Sequence, residues 1–178
     1  FVAALQLRAL ARAAALGPLK VMVPMVTVPE EMAQVRKLLD AAIDVLSEKR
    51  IAHARPDLGM MIEVPAAALM ADRFDADFYS IGSNDLIQYL TASARDNAAV
   101  SPLADPRNPA VIELIRRVVA AGRTRGVDVS LCGDMASNPD LVPVLLDCGL
   151  RVLSVAPAQI GPVKLAIQRY RGPAQDHE

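Results

Sequence analysis

The feature that most constrains the fold is an alternation. Short, largely apolar runs at residues 20–26, 59–65, 78–81, 127–132 and 152–155 are each followed by a stretch of good helix formers. Strands this apolar need cover. Parallel strands with helical crossovers provide that cover, so the chain is predicted to be α/β. The predicted helices span 1–16, 28–49, 66–74, 86 onward, 109–125, 139–148 and 160–170, with 51–58 and 92–108 as irregular links. Thr27 is the expected cap of the second helix, whose first turn carries Pro29, Glu30 and Glu31.

A doubly wound sheet of five strands is complete in itself, whereas a closed (β/α)8 barrel takes about 250 residues. Periodicity does not choose between them. The polar residues favour the barrel, because they are spread over the ends of successive strands and not gathered in one glycine-rich phosphate loop. Neither GxGxxG nor a Walker pattern occurs.

With 53% hydrophobic residues and a mean hydropathy of +0.28, much of the chain must be buried. No apolar run approaches the roughly 18 residues of a membrane span, and the first residues lack the basic region of a signal peptide. The expected location is cytoplasmic. Nineteen basic residues against twenty acidic ones, a net charge of −1, give no field to attract nucleic acid or an anionic membrane. Cys132 and Cys148 form neither a CxxC nor a metal-binding spacing and are expected to be free thiols.

The chemistry is expected at four strand ends, which offer Glu63, Asn84 with Asp85, Cys132 and Ser154. Ligands bind at this carboxyl edge in α/β folds. Phe78-Tyr79-Ser80-Ile81-Gly82-Ser83-Asn84-Asp85 is the clearest case, an apolar run that stops on glycine and then presents a hydroxyl, an amide and a carboxylate. Its plainer reading is a strand whose Asn-Asp pair caps the next helix. A carboxylate in an apolar run is costly unless paired or bound to a cation. Glu63 therefore calls either for an arginine partner or for a metal. With Asp85 it would supply two hard oxygen ligands, a sparse shell of the kind magnesium takes.

The segments Val21-Met22-Val23-Pro24-Met25, Met61-Ile62-Glu63-Val64-Pro65, residues 78–88 and Cys132-Gly133-Asp134-Met135-Ala136 follow the order and spacing of one known family. The chain resembles the PEP-binding barrel of the phosphoenolpyruvate-utilising enzymes, and within it the enzyme I group of the bacterial sugar phosphotransferase system more than the dikinases and PEP synthases. The resemblance implies a partial TIM-type (β/α)8 barrel, about the last five β/α units, over residues 1–172, with 173–178 as a polar tail. It implies that Glu63 and Asp85 hold Mg²⁺, that Asn84 contacts the phosphoryl group, and that Arg95 clamps phosphate. Cys132 would protonate the enolate carbon of pyruvate. The implied partners are phosphoenolpyruvate and pyruvate, a phosphocarrier protein reached through a further domain, and a second copy in a homodimer. From the residues alone, Cys132 reads as a small strand-end filler, and Arg95 reads equally as a solvated loop charge.

The chain departs from the family pattern at Ser83, Ala94, Asp96 and Asp134, where Thr, Asp, Gly and Glu are usual. Ala94 and Asp96 flank Arg95 and weaken its assignment most. The substrate arginines of the family's earlier strands and its phospho-accepting histidine have no counterpart, since His53 and His177 lie in a loop and the tail. A sheet of five such strands is expected to have two open edges and an uncovered apolar inner face, and so to self-associate. A dimerisation module with no activity of its own is the alternative reading.

Overall fold

The computed structural model describes residues 2–94 and 97–172. The elements alternate as expected: α1 (Val2–Ala14), β1 (Lys20–Val23), α2 (Pro29–Glu48), β2 (Asp57–Ile62), α3 (Pro65–Leu69), β3 (Phe78–Gly82), α4 (Ser83–Thr91), α5 (Pro109–Arg125), β4 (Asp128–Cys132), α6 (Val142–Asp147), β5 (Val152–Leu153) and α7 (Ile160–Arg169). The five strands form one sheet in the order β1-β2-β3-β4-β5, and every pairing is parallel. A doubly wound sheet reverses its order at a switch point. This one never does. Right-handed crossovers that always step the same way place the helices on a single side, which is how a barrel wall is built.

Burial follows from that winding. Leu58, Met60, Ile62, Tyr79, Ile81 and Leu131 point to the helical side and are fully buried. Those of β3 and β4 pack against α5, whose buried stripe includes Val111, Ile115 and Val118 and which Asn108 opens through an Oδ1 that accepts the Ala110 N–H at 2.9 Å. On α2, Met32, Leu39, Ala42 and Leu46 form one face. The other face of the sheet carries Lys20, Met22, Asp57, Met61, Ser80, Ser130 and Cys132, as the register requires. Its polar half corrects the expectation of an apolar inner surface. The two open edges are as expected, with β1 and β5 unpaired on their outer sides among the described residues.

Several boundaries differ from the predicted ones. The α2 helix begins at Pro29, with Val28 and not Thr27 in the cap position, and the Glu31 carboxylate accepts the N–H groups of Thr27 at 2.6 Å and Val28 at 3.0 Å. Those bonds hold the Glu31 carboxyl below its ordinary range. The strand β2 stops at Ile62, so Glu63 lies one residue past the ladder and not inside it. The predicted helix 66–74 breaks into α3 and a 3-10 turn at Ala71–Arg73. The α4 helix starts directly at Ser83, not at Leu86, with Gly82 as its cap residue.

Candidate active site

Three adjacent strand ends build the site. Glu63 follows β2 and is 4% exposed. Its Oε1 accepts the backbone N–H of Met25, in the loop after β1, at 2.7 Å. Its other side rests on Gly82. A Cβ at that position would lie 2.8 Å from Glu63 Oε2 and 2.9 Å from Glu63 Cβ. The φ of Gly82 is −84°, which any residue adopts, so the glycine is required by the approach of Glu63 and not by the turn.

Because α4 starts at Ser83, Asn84 and Asp85 occupy its first turn. This corrects the plainer reading of the Asn-Asp pair as a cap, since Gly82 holds the cap position. Neither residue is the cap, and Asp85 sits where the helix dipole favours negative charge. Asp85 also stands beside Glu63. Burial pushes the Glu63 carboxyl above its ordinary range, the Met25 N–H draws it part of the way back, and the charge and hydrogen bond of Asp85 push it up again. Among the described residues, lysine and arginine pair with Asp40, Asp57, Asp75 and Asp77, and none pairs with Glu63. The arginine-pair reading of Glu63 has no support there. Two hard carboxylates pressed together, one of them nearly buried, suit a divalent cation that fills its shell with water and substrate oxygens. No third His, Cys, Asp or Glu joins them among the described residues.

Asn84 is anchored from the loop after β4. Its Oδ1 accepts the Asp134 N–H at 2.8 Å, which fixes the amide orientation and leaves the NH₂ as the group it can offer to an anion. The fully buried Ser83 donates its hydroxyl to the Cys132 carbonyl at 2.7 Å. Gly133 makes both contacts possible. Its φ is +94°, and a Cβ there would lie 2.5 Å from Ser83 Oγ and 2.6 Å from Asn84 Oδ1.

Cys132 closes β4 opposite Gly82 and is half-buried. Its Sγ lies 3.7 Å from the Ser80 hydroxyl, which donates to it, and 3.5 Å from the Ile81 carbonyl, to which the thiol donates. Cys148 is a buried free thiol, as expected. Arg95 lies outside the described residues. Ser93, two residues before it in sequence, lines with Asn84, Gln88, Asp134, Ala104 and Pro106 a cavity of about 200 Å³ beside α4. Ser154 is exposed and, among the described residues, joins no part of this cluster; its N–H is bonded to the Leu131 carbonyl at 2.9 Å. Ser80 escaped sequence reasoning, and Ser83 stood out only as the hydroxyl after Gly82, not as a donor to the Cys132 carbonyl. The alternation of β3 was a signal for Ser80, which shares a face with Gly82, whereas nothing local marked the Met25 N–H.

The chain can be assigned to a defined class. The model of the family described as "PEP-utilising enzyme, PEP-binding domain" matches residues 2–171, and the chain belongs to that family. Among curated relatives it is similar to the phosphoenolpyruvate-protein phosphotransferase of Geobacillus stearothermophilus, 42% identical over 167 residues, 92% of this chain and 29% of that protein. The protein of the same name from Cupriavidus necator is 44% identical over 165 residues, 91% of this chain and 28% of the relative. The chain thus spans less than a third of the length of these relatives. Among solved structures, a citrate lyase from Burkholderia xenovorans superposes with a TM-score of 0.67 at 22% identity, over 92% of this chain and 53% of that one. The malate synthase of Haloferax volcanii gives 0.55 at 15% identity, over 88% and 46%. At those identities the likeness shows the fold alone, part of a TIM-type barrel.

Proposed function

We propose that this chain is the PEP-binding part of a phosphoenolpyruvate-dependent protein phosphotransferase, in which Glu63 and Asp85 hold a divalent cation, Mg²⁺ in the cell. The observation that carries the reading is the meeting of these two carboxylates at the ends of β2 and β3. PEP carries a phosphate and a carboxylate, and two protein carboxylates repel it unless a cation stands between. When bound, the metal supplies charge neutralisation at the phosphoryl and enolate oxygens.

The chain's own groups do the rest. The Asn84 NH₂ donates to a phosphoryl oxygen, and Arg95 pairs with the phosphate. The P–O bond breaks with its electron pair going to the enolate oxygen, while phosphorus bonds to the nitrogen of a histidine. That histidine belongs to a further domain. His53 precedes β2, at the end of the sheet away from Glu63, and both its ring nitrogens are engaged, by the Ile51 carbonyl at 2.7 Å and the Ser47 hydroxyl at 3.2 Å. His177 lies outside the described residues. Cys132 then gives its thiol proton to C3 of the enolate, releasing pyruvate, and the thiolate takes a proton from water.

The relatives' name supports a protein acceptor, and the proposed setting is a cytoplasmic homodimer that passes phosphate to a phosphocarrier protein for sugar uptake. No described helix is long and apolar enough to cross a membrane. Incubation of the longer protein with ³²P-labelled PEP tests the reading. An acid-labile label should form in the parent and be lost in Glu63→Ala and Asp85→Ala. Undiminished labelling of either variant would overturn the assignment.

A further inference from the structure

Three described non-glycine residues have a left-handed backbone: Met25 at φ 55°, Arg50 at 54° and Ala92 at 52°. Two of them have an ordinary cause. Arg50 follows Lys49, the cap residue at the end of α2, and Ala92 caps the end of α4, positions where this conformation closes helices. Met25 ends no helix. It follows β1 and Pro24, and its side chain is 48% exposed, so packing does not force the conformation either. What the conformation does is aim the Met25 N–H at Glu63 Oε1, 38 residues away in sequence, at 2.7 Å. A rarely populated backbone state kept up by one long-range bond to a site residue points to function and not to chance.

The geometry points to Met25 as a positioning residue whose left-handed backbone occupies Glu63 Oε1, so that Glu63 offers the cation a single oxygen, Oε2, on the side of Gly82 and Asp85. This rests on the cation reading above and adds to it the mode of coordination and the device that enforces it. Outer-shell bonds of this kind fix the ligand's orientation. The requirement falls on the backbone, so the identity of the side chain matters only through its tolerance of positive φ. Glycine and asparagine adopt it readily, and β-branched residues do not.

The test is a substitution series read by Mn²⁺ titration, following water-proton relaxation, and by hydrogen exchange at the Met25 amide. Met25→Gly and Met25→Asn should bind Mn²⁺ as the parent does. Met25→Val and Met25→Thr should bind roughly tenfold more weakly, the usual cost of losing an outer-shell partner, with unchanged far-UV circular dichroism. Equal affinity across all four variants, with binding still dependent on Glu63, overturns the clamp and leaves the cation site standing. If Glu63→Ala binds Mn²⁺ like the parent, the cation reading fails instead. The clamp is then judged by the amide alone, which should exchange slowly in the parent and quickly in Glu63→Ala. Fast exchange in the parent overturns it without any variant.

Discussion

The contact between Glu63 and Gly82 makes a quantitative prediction. Replacing Gly82 with alanine leaves the backbone unstrained, since φ is −84°, and adds one methyl group. That methyl would lie 2.8 Å from Glu63 Oε2, 2.9 Å from Glu63 Cβ and 3.0 Å from Met61 Sδ. The thioether can swing aside, whereas Glu63 Cβ is fixed to the chain, so the carboxylate must move by roughly half an ångström. Such overpacking costs about 1–3 kcal/mol, a fall in Tm of roughly 3–8 °C for a chain of this size. Other tight glycines give the same kind of loss without touching the site. A Cβ at Gly122 would meet Val129 Cγ2 at 2.2 Å, and one at Gly59 would meet the Phe78 ring at 2.5 Å. Differential scanning fluorimetry should therefore show all three alanine variants destabilised. Mn²⁺ titration should show only Gly82→Ala weakened, by roughly tenfold. Retention of parental affinity by Gly82→Ala, or equal weakening in all three, would refute the argument.

Two further predictions concern single groups. The Glu63 carboxyl is pushed above its ordinary value near 4.5 by burial first and by Asp85. The native state then holds its proton more tightly than the unfolded chain, and stability falls as pH rises from about 4.5 through the raised value. Glu63→Gln should accordingly raise the Tm of the metal-free chain at pH 7, and the gain should vanish below about pH 4.5; a gain that persists in acid would contradict it. Cys132→Ala, in the longer protein, should still label the acceptor histidine from PEP while ketonisation of enolpyruvate becomes slow. Equal loss of both steps would rule out a role in proton transfer alone.

The strands were legible because each is a short, largely apolar run between helix-forming stretches, and the chemistry was legible where polar groups stand at the ends of those runs. Glu63, Asp85, Asn84 and Cys132 stand out for that reason, and the structure brings the first two together and ties Asn84 to the loop after Cys132. Ser154 obeyed the same rule and was misleading, because β5 ends at Leu153 and the serine faces solvent. What periodicity could not supply was the order of the strands, which depends on crossovers and not on local composition. Nor could it supply contacts that backbone groups make at long range. The Met25 N–H on Glu63 and the Cys132 carbonyl under Ser83 belong to no side-chain pattern. Gly82 stood out only as the residue on which the apolar run stops, and only the folded contact shows that Glu63 fills the space beside it. The start of α4 was placed late for a similar reason: Ser83-Asn84-Asp85 looks like a loop until Gly82 is seen to serve as the cap residue.

The central claim is that Glu63 and Asp85 gather a cation for PEP. The most direct measurement is Mn²⁺ affinity of the longer protein with and without PEP, followed by water-proton relaxation. PEP should tighten Mn²⁺ binding in the parent, because its oxygens complete the metal's shell, and the same factor should tighten PEP binding in return. That coupling should disappear in Asp85→Ala and in Glu63→Ala. Coupling of parental size in either variant would place the cation elsewhere and contradict the account.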